Sequence, residues 1–464
     1  MMKNLRRKNL YVAMAFLSGM GSHSAYAIDI NTPTTIDGQT FTDESINIID
    51  NALAHGGSPD VAITNTTINN SLTSGIDGDG IVVDSPAPSD FGTVNLNIDT
   101  VKINTTGNGS TGLNIMSPGS NTVQLSNSEI NSAGTGIRFS PVTEKNGTSL
   151  LDIFNSTVTA DAGPALVTDF YNESTNAQNW VYIEDSTLTS NTDVIRANFL
   201  SVDPKSAMAL EVSNSKIIAG DNNIALSFHT QASGNAGQFD ANFSNSVIKG
   251  DVVNSGPGGV DFNMSLEDGS QWDGALIPKY AGVTSYVKMS GGSVWNVTAN
   301  SRATGVTIYD ATVNTQGDAA LTANEIDIAG SGTLNGKVTG VGTMNLGFDT
   351  SSAPAVWNIT GNSDVNTLVV DHSQMTSQNG ATLTANNLTL RNGSVFTGIL
   401  TGNTATAMTG GSVWNLSGNS KSGALALDGS KILSQNNATL TADSLNMKNR
   451  SALTGILTGA TTMD

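Results

Sequence analysis

One stretch of sequence returns at a fixed distance, which restricts the chain to architectures that stack like units. SQNGATLTANNLTLRNGSVFTGILTG at 377–402 recurs as SQNNATLTADSLNMKNRSALTGILTG at 434–459, an offset of 57. A weaker copy, AALTANEIDIAGSGTLNGKVTG, occupies 319–340. A second motif has the same rhythm. GGSVWNVTANS at 291–301 returns as GGSVWNLSGNS at 410–420, with AVWNITGNS at 355–363 between them. Trp295, Trp357 and Trp414 are therefore 62 and 57 apart. Units of this kind, made of short β-rich runs, cannot bury their own apolar face, and stacking does it for them.

Upstream, from about residue 60 to 250, a shorter period rules. An Asn or Asp followed by Ser or Thr precedes a β-forming residue at Asn65, Asp99, Asn127, Asn155, Asp185, Asn214 and Asn245. These first residues step by 34, 28, 28, 30, 29 and 31. VQLSNSEI, LDIFNST and VYIEDSTL alternate before these turns, with Val, Leu, Ile or Tyr on every second position. Period two gives one buried and one wet face. The Asx-Ser/Thr pair turns the chain through side-chain to backbone hydrogen bonds. One coil of a parallel β-helix takes roughly 20–30 residues. The short repeat is thus one coil with a loop, and the long repeat two or three coils. Val, Leu and Ile are expected in interior ladders and Asn in rows at the corners. Alternation in SVWNL sets Trp with Ser and Leu, opposite Val and Asn, so the tryptophans are expected to face inward.

The fold class expected is all-β, a right-handed parallel β-helix. Its divisions are a secretory leader at 1–27, an N-terminal cap and first coils at 28–60, coils with loops at 61–289, and the long-repeat region at 290–464. A β-propeller would need blades near 40–45 residues with their own markers. Helical solenoids are excluded by the scarcity of 3.6-period Leu-rich runs and the wealth of Gly, Asn and Thr.

Composition narrows the chemistry. Charged residues make up 13% of the chain and aromatics 5%, while apolar residues reach 38% in short alternating runs, which argues against disorder. There is no cysteine, hence no disulfide, Cys-metal site or Cys nucleophile. The net charge is −19, and without Lys3, Arg6, Arg7 and Lys8 of the leader 16 basic residues face 39 acidic ones, or −23. That disfavours nucleic acid and anionic membranes as partners. The leader has a basic n-region from Lys3 to Lys8, the apolar run LYVAMAFLSGM, and a cleavage signal at Ala25-Tyr26-Ala27. The mature chain is expected to begin near Ile28 and to carry no membrane-spanning segment.

No motif points to catalysis. Asp77 and Asp79 in GIDGDG form the tightest acidic pair and read as a solvated turn, without the ladder of a calcium loop. Asp161, Asp185 and Asp221 read as corner residues. His55, His229 and His372 are widely separated and lack ligand spacing. There is no nucleophile elbow or phosphate loop. The expectation is a non-enzyme without cofactor or metal. Binding is then expected at the interruptions of the repeat, 82–92, 140–149, 169–179, 199–208 and 274–287. Phe170, Tyr171, Trp180, Tyr280 and Tyr286 are the candidate binding-surface aromatics there.

With its leader, its VWNxxGNS strands and its LTAxxLxL…G-S…TG units, the chain resembles the passenger of a Gram-negative autotransporter, closest in style to the adhesin group of AIDA and pertactin. The likeness covers residues 28–464. It is most specific at Trp357–Ser363 and Trp414–Ser420, while Ala299 departs from the Gly of the pattern. It implies export, a right-handed β-helix, and adhesion, autoaggregation or biofilm formation. The implied partners are a host or bacterial surface glycan or protein, or a second copy. It also implies a C-terminal translocator barrel, and nothing after residue 300 shows amphipathic membrane strands. The chain is accordingly expected to be a passenger without its barrel. It would be displayed at the surface if joined to one and held in the periplasm otherwise. The alternatives are a polysaccharide-degrading β-helix enzyme, a non-functional truncated passenger and a structural spacer.

Overall fold

A computed structural model describes residues 26–463, except 50–59, 74–75, 85–93, 117–119, 141–147, 171–177, 201–205, 231–234, 256–258, 281–283, 348–352, 403 and 460–461. The chain winds as a parallel β-solenoid, as expected from its repeats. Every strand pairing between coils is parallel, and the described residues contain one short 3-10 turn, Ile76–Gly78, and no longer helix. The first strand, Tyr26–Ile30, begins just before the expected start of the mature chain.

Each upstream coil has three strands, which we assign to faces A, B and C. Glu44–Ile49 lies on face A, Asp60–Thr64 on B and Thr67–Asn70 on C, and Ile81–Asp84 returns to A. A separate face A runs to Leu276–Pro278. Beyond it, long strands such as Ser301–Tyr309 and Ser363–Asp371 take its place. The Leu276 N–H donates to Ser301 Oγ at 3.1 Å, so these strands carry face A round the corner into face B without a break.

One inward column on face C shows what stacking does. Residues Phe41, Ile68, Ile103, Ile130, Val158, Leu188, Ile217 and Ile248 lie in register, each on the next coil. Trp272, Trp295, Val313, Leu334, Trp357, Met375, Phe396 and Trp414 continue the column. Trp295 thus reaches Trp357, and Trp357 reaches Trp414, in three coils. The long sequence repeats are three-coil units. All four tryptophans of this column are fully buried, as the alternation predicted for Trp295, Trp357 and Trp414.

A glycine carbonyl of the preceding coil meets each indole. Trp272, Trp295, Trp357 and Trp414 donate their Nε1–H to the carbonyls of Gly250, Gly274, Gly336 and Gly398 at 2.9, 3.0, 3.1 and 3.4 Å. A Cβ on Gly274 would stand 2.6 Å from the Trp272 Nε1, and one on Gly398 2.5 Å from the Phe396 ring. Each of these glycines and the tryptophan of the coil that follows it are therefore tied as acceptor and donor. A buried indole N–H needs a partner, and the glycine carbonyl is within its reach.

The remaining motif letters tie coils together. Outward on face C, Asn296, Asn314, Asn335 and Asn358 form an amide ladder, each Nδ2 donating to the side-chain oxygen of the coil before, Asp273 at its start, at 2.6–2.9 Å. In the GNS triplet, Asn362 Oδ1 accepts the Thr382 N–H of the following coil at 3.0 Å, and Asn419 Oδ1 accepts that of Thr439 at 2.9 Å. Ser363 and Ser420 Oγ accept the N–H of Val338 and Leu400 of the preceding coil, each at 3.2 Å.

The upstream Asx-Ser turns work in the same way. Asn65, Asn127, Asn155, Asp185, Asn214 and Asn245 have φ between 45° and 51°, a left-handed conformation that Asn and Asp tolerate best among residues with a side chain. Ser128, Ser156, Ser186 and Ser215 each donate their backbone N–H to the serine Oγ one coil on, at 2.9–3.1 Å. Corner amides pair as well, Asn155 Nδ2 to Asn127 Oδ1 at 2.7 Å among them. One alignment needs correcting. Thr64 pairs with Asp99 and Asp99 with Ser126, so Thr100, not Asp99, stands in the place of Asn65 and Asn127. Its φ is 57°.

A β-branched residue in this conformation is strained by about 1–3 kcal/mol. Thr100→Asn is expected to stabilise the coils around residue 100 by about 1 kcal/mol, read as slower amide hydrogen exchange in the flanking strands. Trp357→Phe is expected to cost about 2 kcal/mol, since the Gly336 carbonyl loses its buried donor. Faster exchange confined to the coils next to residue 357 would report it.

Candidate binding surface

The three faces differ in what they offer a partner. Face A offers little outward surface: Val82, Asn114, Val167, Ser227 and Val253 are buried, and Arg138 and Arg196 of the same column are half-buried. Face C carries the amide ladder outward. Face B is the wet face with aromatics. Phe154, Tyr182, Tyr286 and Tyr309 stand on it 37–49% exposed, and Trp180 lies half-buried beside Tyr182, ring centroids 6.4 Å apart and nearly parallel.

The five aromatics expected from sequence have different fates. Phe170 is corrected: it belongs to the core, 1% exposed and stacked on Phe199 with centroids 4.7 Å apart. The strand Leu166–Phe170 extends through it, and its register with Phe199 turns it inward. Tyr171 lies outside the described residues. Trp180 is on a strand of face B, Gln178–Glu184, not on a loop. Tyr280 and Tyr286 are exposed on either side of residues 281–283. The expected interruptions shrink accordingly, because residues 82–84, 148–149, 169–170, 178–179, 199, 207–208, 276–278 and 285–287 all belong to strands.

Phe154, Tyr182 and Tyr309 were missed because they lie outside the expected interruptions of the repeat. Alternation could have found Tyr182. In VYI, Val181 and Ile183 are buried, which leaves the tyrosine on the wet side.

Around Tyr286 the wet face forms a groove of about 440 Å³. Two outward columns line it along the solenoid axis. Asp240, Asn263, Tyr286, Gly305 and Glu325 follow one another in register, and beside them run Asn242, Ser265, Lys288, Thr307 and Asp327. Amides hold the carboxylates in place. Asp240 Oδ1 and Oδ2 accept from Asn263 Nδ2 and Gln238 Nε2, both at 2.7 Å, and Asp327 Oδ1 accepts from Asn345 Nδ2 at 2.8 Å. Tyr280 lines a smaller groove of about 220 Å³ with Pro278, Arg302 and Asn324.

The chain matches no known protein family, no characterised protein and no solved structure. Among the described residues, no group of three or more His, Asp or Glu side chains is placed to hold a metal ion, and no helix is long and apolar enough to cross a membrane. His229 Nδ1 lies 3.1 Å from the Ser255 carbonyl and His372 Nδ1 3.4 Å from that of Asn392, so each meets backbone. His55 lies outside the described residues. Asp161, Asp185 and Asp221 are exposed at corners.

Asp79 departs from its expected place in a solvated turn. It is buried, with Oδ1 accepting the Thr111 N–H at 2.6 Å and Oδ2 accepting from Asn114 Nδ2 at 2.7 Å. It ties one coil to the next. Burial raises its pKa above the ordinary 3.8, against the opposing pull of Asn114, Thr111 and Arg138. A carboxyl whose folded pKa is raised favours folding below its unfolded pKa and loses that contribution as pH rises through the folded value. Relative to Asp79→Asn, the native chain should therefore lose stability as pH climbs from below 3.8 towards neutrality. Melting temperatures of both proteins across that range test this, and a constant difference between them would contradict it.

Proposed function

We propose that this chain is the passenger-like solenoid of an exported cell-surface protein, acting in adhesion, autoaggregation or biofilm formation by binding and not by catalysis. The observation that carries the reading is the wet face B, where Phe154, Tyr182, Tyr286 and Tyr309 stand exposed on one continuous sheet. Large aromatics cost apolar surface when left in water and are enriched where partners dock. A rigid face that repeats at every coil suits weak contacts made many times over. The leader supports export, and the VWNxxGNS and TG units support the likeness to autotransporter passengers. The acidic balance supports a partner that is not a polyanion.

The test uses the native producing cells. External protease on intact cells, followed with an antibody to residues 28–464, is expected to degrade the protein, and cells lacking it should aggregate and attach several-fold less. Protein protected from protease, or attachment unchanged on its removal, would count against the reading.

A further inference from the structure

We propose that the face-B groove at Tyr286 binds an uncharged, hydroxyl-rich glycan chain laid along the solenoid axis. The proposal rests on the adhesion reading and names the ligand class of its surface. The next coil offers Gly305 opposite Tyr286, and a Cβ there would fall 2.9 Å from the Tyr286 Cδ1 and 3.1 Å from Cε1. The ring therefore leans into the space the glycine leaves and lies along the sheet, still 49% exposed. A ring so laid presents a flat apolar platform, which suits the C–H-lined face of a pyranose.

Fixed acceptors flank the platform. Asp240 stands two coils before Tyr286, and Glu325 and Asp327 lie two coils after it. An ionised carboxylate has about four acceptor sites. Those of Asp240 and Asp327 keep capacity for hydroxyl donors after the amide bonds that orient them. Charge selects among glycans. Three carboxylates face one ammonium, Lys288, on a chain of net charge −19, so a uronate or sulfated polymer is repelled. Length matches as well. Adjacent coils stand about 4.8 Å apart, so the four steps from Asp240 to Glu325 span about 19 Å. An extended pyranose chain advances by a similar step per residue, and each sugar meets the same pair of columns.

The test is affinity electrophoresis of the purified chain through gels containing soluble β-glucan, xylan, mannan or galactan, with polygalacturonate and heparin as anionic probes. At least one neutral polymer should retard the protein and neither anionic one should. Tyr286→Ala should weaken retardation about tenfold, Tyr286→Phe should retain most of it, and Lys431→Ala, on an exposed position of face C, should leave it unchanged. Asp327→Asn gives a second reading that spares the platform, and should weaken binding with the fold intact by circular dichroism. Retardation by the anionic polymers alone, by none of the panel, or equally in Tyr286→Ala overturns the proposal. If cells carrying Tyr286→Ala attach normally while their protein binds no glycan differently, the groove assignment fails and the adhesion reading stands. If the glycan is bound and attachment does not depend on the protein, the adhesion reading fails and the groove stands.

Discussion

Backbone pairing between coils is the interaction on which everything else here depends. A strand in the middle of the solenoid has its N–H and C=O groups met only by the coils before and after it, and a buried group left unmet is costly. Coils must therefore align residue for residue, and any side chain that interrupts the ladder has to replace what it removes. The serine column from Ser128 to Ser246 does this, with each Oγ taking the N–H that the turn leaves over. Ser363 and Ser420 do the same on the opposite side of the coil.

The same constraint explains why variation is confined. Coils are long up to Ile248 and shorter beyond it, as the spacing from Ile217 to Ile248 and from Trp295 to Val313 shows, yet the interior column continues across the change. The difference is taken up between faces A and B, where separate upstream strands give way to long strands that round the corner. The four tryptophans of the column each bond a glycine carbonyl of the preceding coil. Trp272 and Trp295, stacked with centroids 4.5 Å apart, show how two such coils follow each other.

A sheet fixed in this way leaves its outward positions free for other work. On face C they carry amides that bond from coil to coil. On face B they carry the aromatics and carboxylates of the groove. Neither Tyr286 nor Glu325 contributes to the interior, so selection for binding can act on them without disturbing the ladder beneath.

Much of the architecture was legible in the sequence because a solenoid writes its geometry into its period. The recurrence of the SQN…TG unit, the alternation in VQLSNSEI and the inward Trp of VWN are all local consequences of coil length and pleat. The exception at Thr100 shows the limit of that legibility. Neighbouring residues of turn type can exchange places, and only pairing with Thr64 and Ser126 fixes the register. The site was harder to see. Phe170 looked like a loop aromatic and is core, while Asp79 looked solvated and is buried, because burial is set by the coil that packs alongside and not by the neighbours in sequence. Tyr286 and Gly305 belong to separate stretches of sequence and become a platform only when stacking brings them side by side. The sequence by itself determined the coil, since period and alternation are properties of one strand. Tertiary structure alone decided the groove, since a wet surface several coils long is assembled from residues whose only relation is register.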